Sequence, residues 1–157
     1  MFHALYQLPV VTVRPFITYG PQQRFSKLVP SLALSLMRGR SPTVSQPDRE
    51  ADWIYIHDVI DGIMSAATIS GIEGKIIELG SGQLISIRHI AEQLQQIIGG
   101  SVRFAKSERS SGVHGRQAEL ELARDLLGWQ PKTSLRQGLS HTVEWYRARL
   151  DDFPDPS

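Results

Sequence analysis

Residues 8–21 constrain the fold of this chain more than any other stretch. Val10 to Val13 form a short apolar run rich in β-branched residues, and the turn-forming pair Gly20-Pro21 closes the segment. A continuous apolar run followed by turn signals is typical of a strand buried on both faces of a parallel α/β sheet. Ligands of open α/β sheets bind where such strands end. The sequence therefore predicts a strand at 10–13 with a binding crevice directly after it.

Composition restricts the class of protein. A chain of 157 residues has the length of one domain and can bury a core. The net charge of +1 gives no electrostatic case for a nucleic-acid partner, and the absence of cysteine excludes disulfides and thiolate chemistry. The five histidines show no close pairing, so we expect no metal site. No apolar run reaches the roughly 18 residues of a membrane span, and the amino terminus does not resemble a secretory signal. We therefore expect a cytoplasmic protein without a membrane partner.

Hydrophobic periodicity predicts four or five short strands interleaved with five helices, which indicates an α/β protein. The strands are too few for a complete doubly wound sheet. We expect a disordered tail at 151–157, a loop at 107–115, and inward-facing Val59, Ile60, Ile63, Met64 and Ala67 on the third helix. After the first strand, the predicted strands are 42–44, 51–56, 75–79 and 101–106. The five predicted helices are 25–37, 58–67, 87–98, 120–127 and 135–150. Residues 2–6 are either the end of a further helix or a frayed terminus.

Capping residues set the predicted helix ends. Ser26 and Ser86 are predicted N-caps, either His57 or Asp58 is predicted to cap the third helix, and Ser134 with Gln137 fits a capping box. Four glycines are predicted to end three helices, with Gly99 and Gly100 ending the same one. These are Gly39, Gly99, Gly100 and Gly128.

Five motifs in a fixed order resemble the extended short-chain dehydrogenase/reductases, and within them the NAD-dependent sugar-nucleotide epimerase/dehydratase family, which includes UDP-glucose 4-epimerases. The resemblance implies the C-terminal part of a Rossmann-type fold, with the last sheet strand or strands and a small mixed α/β substrate-binding domain. The motifs are Arg14-Pro15-Phe16-x-x-Tyr19-Gly20-Pro21, Asp52-Trp53-Ile54-Tyr55-Ile56-x-Asp58-Val59, Leu79-Gly80-Ser81-Gly82, Leu127-Gly128-Trp129-x-Pro131 and Gly138-Leu139-x-x-Thr142-Val143-x-Trp145-Tyr146.

Two motifs of the family do not occur in the 157 residues. The first is Gly-x-x-Gly-x-x-Gly, whose glycines let the backbone approach the dinucleotide phosphates. The second is Tyr-x-x-x-Lys, whose tyrosine exchanges a proton with a sugar hydroxyl while NAD takes hydride. The four tyrosines are followed four positions on by valine, glutamine, valine and leucine. We therefore predict no catalytic residue in this chain. The resemblance implies NAD as the cofactor of the intact family member, and we expect this chain alone not to bind NAD tightly.

The resemblance implies binding roles for individual residues. The backbone at Pro15 and Phe16 would face the nicotinamide. Ile17 stands where the family commonly has an asparagine that contacts the sugar nucleotide, so one hydrogen bond is lost. Lys27 and Leu28, at the start of a helix, would contact the phosphates and ribose of the nucleotide. Thr43 and Val44, in an extended segment, would contact the edge of the base.

Arginines are implied as diphosphate ligands. Ala51 replaces the usual arginine before the aspartate, and Arg49 projects to the same side of a strand, so either Arg49 takes that role or it is solvated. Arg109 or Arg116 matches a second phosphate-binding arginine, with Arg116 favoured by its distance from the Leu127 motif. Glu78 replaces an asparagine, and it either turns away from the ligand or meets a sugar hydroxyl. Paired guanidinium groups suit a diphosphate because each binds phosphate oxygens in a bidentate manner.

Three functional hypotheses remain at this stage. The first is a truncated NAD-dependent enzyme for a UDP- or dTDP-linked sugar, inactive alone, with residues 1–21 as a dinucleotide-domain remnant and 22–150 as the substrate-binding domain. The second is a non-catalytic sugar-nucleotide-binding module or half of a split enzyme, and the third is an interaction protein. The uncovered apolar strand predicts self-association, marginal stability or a missing N-terminal half.

Overall fold

The computed structural model describes residues 2–106 and 115–153. It contains six α-helices and seven strands in these residues. Their bounds are α1 Phe2–Tyr6, β1 Thr12–Pro15, β2 Ile17–Tyr19, α2 Leu28–Met37, β3 Thr43–Val44, β4 Glu50–Tyr55, α3 Ile56–Thr68, β5 Ile76–Leu79, β6 Leu84–Ser86, α4 Ile87–Ile98, β7 Arg103–Phe104, α5 Glu121–Leu127 and α6 Leu135–Arg147, followed by a 3-10 helix at Leu150–Asp152.

The strands form three small sheets. β1 pairs in parallel with β5, β3 pairs in parallel with β7, and β4 lies between the parallel β2 and the antiparallel β6. This mixed α/β architecture agrees with the predicted class. None of the described helices has the length and hydropathy needed to cross a bilayer.

β4 divides the interior into two cores, as the alternation of its side chains predicts. Trp53 and Tyr55 lie in the core formed by α2, α4 and α6. Ile54 points to the opposite face, into the core that α3, α5 and β5 share. The central residues of this strand therefore alternate between the two cores, and the strand is buried on both faces.

Local signals predicted several helix ends correctly. Ser86 accepts a hydrogen bond from the backbone of His89, and the Ser134 capping box is complete. Gly128 ends α5 in the left-handed conformation, with a φ of +60° that an L side chain rarely adopts. Trp129, next in the chain, is buried against the second core.

The first strand differs from its prediction. It occupies Thr12–Pro15 instead of 10–13, and most of it is exposed. The prediction of burial on both faces is wrong because, within the described residues, β1 has a strand neighbour on one side only and packs against α3 on one face. The following residues, predicted as a turn, form β2, which pairs with β4. β6 was not predicted, because only its pairing with β4 makes this short segment a strand.

Two predicted caps are wrong. α2 begins after Lys27, not after Ser26, and no side chain among the described residues caps it. α3 begins after Tyr55, which leaves Asp58 inside the first turn, where its carboxylate binds Thr133 instead of its own helix. The role of the Asp58 carboxylate thus depends on Thr133, which is distant in the chain and is not indicated by the local sequence pattern.

The inward face predicted for α3 is also largely wrong. Val59 is buried, but Ile60, Ile63 and Met64 are 47, 44 and 59% exposed. The buried face instead contains Asp58, Gly62 and Ala66. A Cβ on Gly62 would come within 2.6 Å of Leu79, so the small residue lets the helix approach β5 closely.

The expected disorder of 151–157 is wrong for its first residues. Asp151 and Asp152 belong to the 3-10 helix, and the ring of Phe153 lies 5.1 Å from that of Tyr146. The side chain of Arg38 donates hydrogen bonds to the carbonyls of Leu150 and Phe153. Residues 154–157, and residues 107–114 of the loop predicted at 107–115, lie outside the described residues.

Candidate functional site

The carboxyl ends of the parallel strands β1 and β5 form the candidate site. β1 ends at Pro15 and β5 ends at Leu79, and the Phe16 amide donates to the Leu79 carbonyl at 2.9 Å. In an open α/β sheet, ligands bind at this edge. The structure thus places Pro15 and Phe16 at the position where the sequence predicts a crevice.

Arg116 covers Phe16 at this edge. Its guanidinium carbon lies 5.8 Å from the centroid of the Phe16 ring, within cation–π range. Its Nη2 atom lies 2.6 Å from Oε1 of Glu78 and 3.7 Å from Oε1 of Glu119. Of the site residues predicted from the sequence, Phe16 and Arg116 are thereby brought into contact. Because Glu78 faces Arg116, much of the positive charge that would attract a diphosphate is already balanced.

Glu78 has a structural partner on each carboxylate oxygen. While Oε1 binds Arg116, Oε2 accepts a hydrogen bond from the backbone amide of Glu119 at 3.1 Å. The side chain is only 8% exposed, so these partners compensate a charge that is nearly removed from water. Glu78 is therefore held by protein partners on both oxygens and does not extend into solvent.

Asp52 stabilises the neighbouring glycine-rich turn. Its Oδ1 accepts from the amide and hydroxyl of Ser81 at 2.6 and 2.7 Å, and its Oδ2 accepts from the amides of Gly82 and Ala118, each at 3.0 Å. A Cβ on Gly80 would lie 2.4 Å from the Cβ of Ala118, so only glycine allows this close approach. The aspartate of the second motif is thereby linked to the Ser81-Gly82 turn of the third.

The other predicted binding residues lie on separate elements. Ile17 begins β2 and is 41% exposed, and Lys27 with Leu28 starts α2. Thr43 is exposed in β3, where Val44 is buried, and the exposed Arg49 directly precedes β4. The alternative arginine, Arg109, lies outside the described residues.

A cleft of about 290 Å³ borders residues 18–23 and Ile56. Within it, the Oε1 atom of Gln23 is buried without a hydrogen-bond partner in the described residues, while its Nε2 atom donates to the Thr18 carbonyl. The Tyr146 hydroxyl donates to the Gln23 carbonyl and thereby fixes this segment. Sequence reasoning missed Gln23, since nothing in its local pattern distinguishes it from a solvated glutamine.

A second cleft of about 310 Å³ lies between β4 and residues 131–135. Tyr19 and Tyr55 line it, and burial, with the nearby charge of Asp58 as a further cause, raises the pKa of both phenols. The ring of Tyr55 lies 5.0 Å from that of His57 and 5.9 Å from that of His141. Both phenols are therefore neutral at physiological pH; both rings pack in the core, and the Tyr19 hydroxyl donates to the Leu135 carbonyl at 3.3 Å.

Solved structures share this arrangement of sheets and helices. The chain superimposes on a UDP-glucose 4-epimerase from Thermotoga maritima, solved with UDP-glucose, with a TM-score of 0.84 and 25% identity over 95% of this chain and 49% of that chain. A UDP-glucuronic acid 4-epimerase from Bacillus cereus, solved with UDP-glucuronic acid and NAD, gives a TM-score of 0.81 and 27% identity over 94% and 48%. The chain thus has an α/β fold shared with solved structures of nucleotide-sugar epimerases.

Sequence comparison gives the family. Residues 1–80, just over half of the chain, match the model of the NAD dependent epimerase/dehydratase family. The chain belongs to this family, so the predicted relationship is confirmed at that level.

Curated relatives extend the similarity along the chain. A UDP-glucuronate 4-epimerase from Thermodesulfobacterium geofontis is 31% identical over 96% of this chain and 47% of its own length. UDP-glucuronic acid decarboxylase 5 from Arabidopsis thaliana is 27% identical over 95% and 44%. The chain spans about half the length of the curated relatives it matches.

Proposed function

We propose that this chain binds a UDP- or dTDP-linked sugar and corresponds to the substrate-binding, carboxy-terminal portion of an NAD-dependent nucleotide-sugar epimerase or dehydratase. The observation that carries the proposal is the similarity of nearly the whole chain to an epimerase solved with UDP-glucose. Members of the same family share the fold at this level, and fold similarity alone does not specify a reaction. The argument for a sugar nucleotide therefore depends on the individual residues.

The start of α2 supports a phosphate-binding role. Lys27 is the N-cap, and no side chain among the described residues satisfies the amides of the first turn. Pro30, in that turn, has no amide to satisfy. Free amides, the helix dipole and a lysine together favour an anion at this end. We propose that Lys27 and Leu28 contact the phosphates and ribose of the ligand.

Arg49 is the better candidate for the second cation. It is exposed at the start of β4, whereas Arg116 is paired with the buried Glu78. Drawing Arg116 towards a diphosphate would leave the Glu78 carboxylate less well compensated, which opposes binding. We propose that Arg49 binds the diphosphate directly and that Arg116 contributes only with the guanidinium N–H groups that Glu78 does not occupy.

The base and the sugar would be bordered by the remaining residues. Backbone groups of Thr43 and Val44 in β3 suit the edge of a pyrimidine, and Ile17 offers an apolar contact where the family commonly offers an amide. Pro15 and Phe16 would border the nicotinamide of NAD, which supplies the hydride chemistry of the family. The 157 residues contain no glycine motif for the dinucleotide phosphates. This chain therefore fits only one end of the cofactor.

The absence of Tyr-x-x-x-Lys from these 157 residues gives the proposal a second consequence. Without that acid/base pair, we expect the chain alone to bind a sugar nucleotide without epimerising, dehydrating or oxidising it. This behaviour is shared by a truncated enzyme, half of a split enzyme and a non-catalytic binding module. The three differ only in whether a dinucleotide-binding partner restores turnover.

Isothermal titration calorimetry tests the proposal. We expect saturable binding of at least one of UDP-glucose, UDP-glucuronate and dTDP-glucose, and no turnover of any of them. Arg49→Ala should weaken that binding at least fivefold, because a charge-assisted contact is lost. Arg124→Ala, at an exposed arginine of α5, is the matched control and should leave the affinity unchanged. Absence of saturable binding to all three compounds would overturn the proposal.

A further inference from the structure

The cleft between β4 and residues 131–135 contains an open stretch of strand edge. β6 pairs with β4 only as far as Asp52, which lies opposite Leu84. The Gln83 amide would be the next donor in this ladder, but it donates to the Ser81 hydroxyl oxygen at 3.2 Å instead. Beyond that point the edge of β4 borders a cleft of about 310 Å³, a volume at the lower end of the range of small-molecule sites.

Two backbone groups of β4 point into this cleft. The Arg49 carbonyl accepts from the Ile87 amide on the β6 side of the strand. Because successive residues point alternately to the two sides of a strand, Trp53 and Tyr55 point the same way as Arg49. No hydrogen bond outside the strand ladders satisfies the Trp53 carbonyl or the Tyr55 amide in the described residues. Trp53 and Tyr55 are 7 and 3% exposed, and unpaired backbone groups at such depth are rare.

The two groups match one residue of an extended ligand. An acceptor at Trp53 followed by a donor at Tyr55 is what a strand offers to a single residue that lies parallel to it, opposite Ile54. That residue donates its N–H to the Trp53 carbonyl and accepts with its own carbonyl from the Tyr55 amide. The open edge therefore suits a ligand that carries an N–H and a carbonyl on one α-carbon.

Donors at one end of the cleft favour a negative charge on that carbonyl. α6 begins at Leu135, which lines the cleft together with Lys132. The amides of Leu135 and Arg136 have no acceptor in the described residues, and free amides at a helix start stabilise an anion. The Tyr19 hydroxyl donates to the Leu135 carbonyl, and Tyr19 pairs with Tyr55 in the sheet. α6 therefore begins at the Tyr55 end of the open edge, where a parallel residue places its carbonyl.

The Tyr55 phenol is an independent indication of a ligand. Tyr55 lines the cleft and is 3% exposed, yet its hydroxyl has no hydrogen-bond partner in the described residues. Burial, and after it the charge of Asp58, raises the pKa of this phenol, and Asp58 lines the same cleft. Both carboxylate oxygens of Asp58 accept from Thr133, which leaves the phenol free to donate to a ligand. Lys132 offsets the repulsion that Asp58 exerts on an anion.

We propose that this cleft binds the α-carboxylate of an N-acylated amino acid, either free or as the C-terminal residue of a peptide. The ligand N–H donates to the Trp53 carbonyl. The carboxylate accepts from the Tyr55 amide and hydroxyl and from the free amides of α6, next to Lys132. Ile85 and Leu135 line the cleft and favour an aliphatic ligand side chain. None of the residues proposed to contact the sugar nucleotide lines this cleft, so the two sites are separate.

Nuclear magnetic resonance of the ¹⁵N-labelled 157-residue chain, titrated with N-acetyl-L-leucine, tests this site. We expect saturable shifts of the amide signals of Tyr55, Leu135 and Arg136, with a dissociation constant of about 1 mM or lower. N-acetyl-L-leucinamide lacks the charge and N-acetyl-L-proline lacks the N–H, so each should bind at least fivefold more weakly. Equal binding of the three compounds would overturn the proposal.

Variants locate the contact. Lys132→Glu should weaken the binding of N-acetyl-L-leucine at least fivefold, because it places a negative charge beside the carboxylate. Lys75→Glu, at an exposed lysine directly before β5, is the matched control and should bind like the wild type. Tyr55→Phe removes only the hydroxyl and should weaken binding at least threefold. If Tyr55→Phe does not fold by circular dichroism, the two lysine variants still decide, since equal affinity of both would overturn the proposal.

A tripeptide separates the two sources of the ligand. Tighter binding of glycyl-glycyl-L-leucine than of N-acetyl-L-leucine would support a peptide C-terminus, and equal binding would support a single acylated residue. Absence of saturable binding for both compounds would overturn the proposal. Lys132→Glu should leave the affinity for UDP-glucose, UDP-glucuronate or dTDP-glucose unchanged, because the sugar-nucleotide site does not include this lysine.

Discussion

The sheet around β4 and the sheet around β1 differ in how completely each is packed. β4 has a strand on each side, and its three successive residues Trp53, Ile54 and Tyr55 are all buried. β1 has one neighbouring strand, and three of its four residues are exposed. Both sheets belong to one short chain with ordinary hydrophobic content. In the described residues the first sheet is covered on both sides, whereas the second is exposed along β1.

Buried carboxylates join the two sheets to one segment. Asp52 of β4 accepts from the amide of Ala118, and Glu78 of β5 accepts from the next amide, that of Glu119. Asp52 has four donors among backbone and hydroxyl groups, whereas Glu78 has one backbone donor and the half-exposed Arg116. The segment at Ala118 and Glu119 is therefore bound more strongly to Asp52 of β4 than to Glu78 of β5.

Asp52→Ala should have the largest effect on stability. It leaves several buried donors without an acceptor, and we expect the free energy of unfolding to fall by about 3 kcal/mol or more. Urea denaturation followed by circular dichroism measures this loss. Asp61→Ala, at an exposed aspartate of α3, is the control and should change stability by less than about 0.5 kcal/mol. A similar, small effect of both substitutions would refute the role given to Asp52.

Glu78→Ala should have a smaller effect, of about 1–2 kcal/mol. The Glu119 amide loses its acceptor, but Arg116 is 58% exposed and can be solvated once released. The coupling between Glu78→Ala and Arg116→Ala in a double-mutant cycle should stay near 1 kcal/mol or below, since water screens the pair. If Glu78→Ala cost as much as Asp52→Ala, the contrast between the two sheets would be lost.

Alkaline pH should produce the smallest effect, and it concerns the packed side of the molecule. Burial raises the pKa of Tyr146 to about 12, whereas an unfolded tyrosine titrates near 10. Between these values the unfolded chain has lost a proton that the folded chain keeps. This residue's contribution is therefore complete below pH 10 and is lost as pH rises towards 12, by up to about 1.4 kcal/mol per pH unit.

Tyr146→Phe checks this assignment. Wild type and variant should differ in free energy of unfolding at pH 8, where the variant lacks the hydrogen bond to Gln23. The gap should narrow by about 1 kcal/mol between pH 10 and 11, because only the wild type carries the titrating group. Urea denaturation at these pH values gives both quantities. A gap independent of pH would show that Tyr146 ionises equally in both states.

Local signals were sufficient wherever a residue acts on its own segment. The capping box at Ser134 and the cap at Ser86 follow from side chains within three residues of the groups they satisfy. The helix stop at Gly128 follows from the left-handed backbone that glycine readily adopts. The alternation along β4 follows from the pleat of a strand. The family follows from motifs whose order and spacing are themselves properties of the sequence.

Contacts between distant segments could not be predicted in this way. β2 and β6 are too short to be recognised until β4 pairs with them, and Asp58 binds Thr133 instead of capping its helix. Arg116 was predicted to meet a diphosphate because arginine suits that ligand. The fold instead brings it to Glu78, 38 positions earlier in the chain, in a contact that neither residue's neighbours indicate.

The sequence by itself determined the α/β class, the family and the segments in which binding residues were sought, because these depend on residue type, periodicity and order. Only the tertiary structure decided which charges are already paired, which face of α3 is buried and which edge of β1 is left open. Those features depend on packing between segments far apart in the chain. The same type of residue binds a ligand, forms a structural ion pair or belongs to a contact surface according to its neighbours in space.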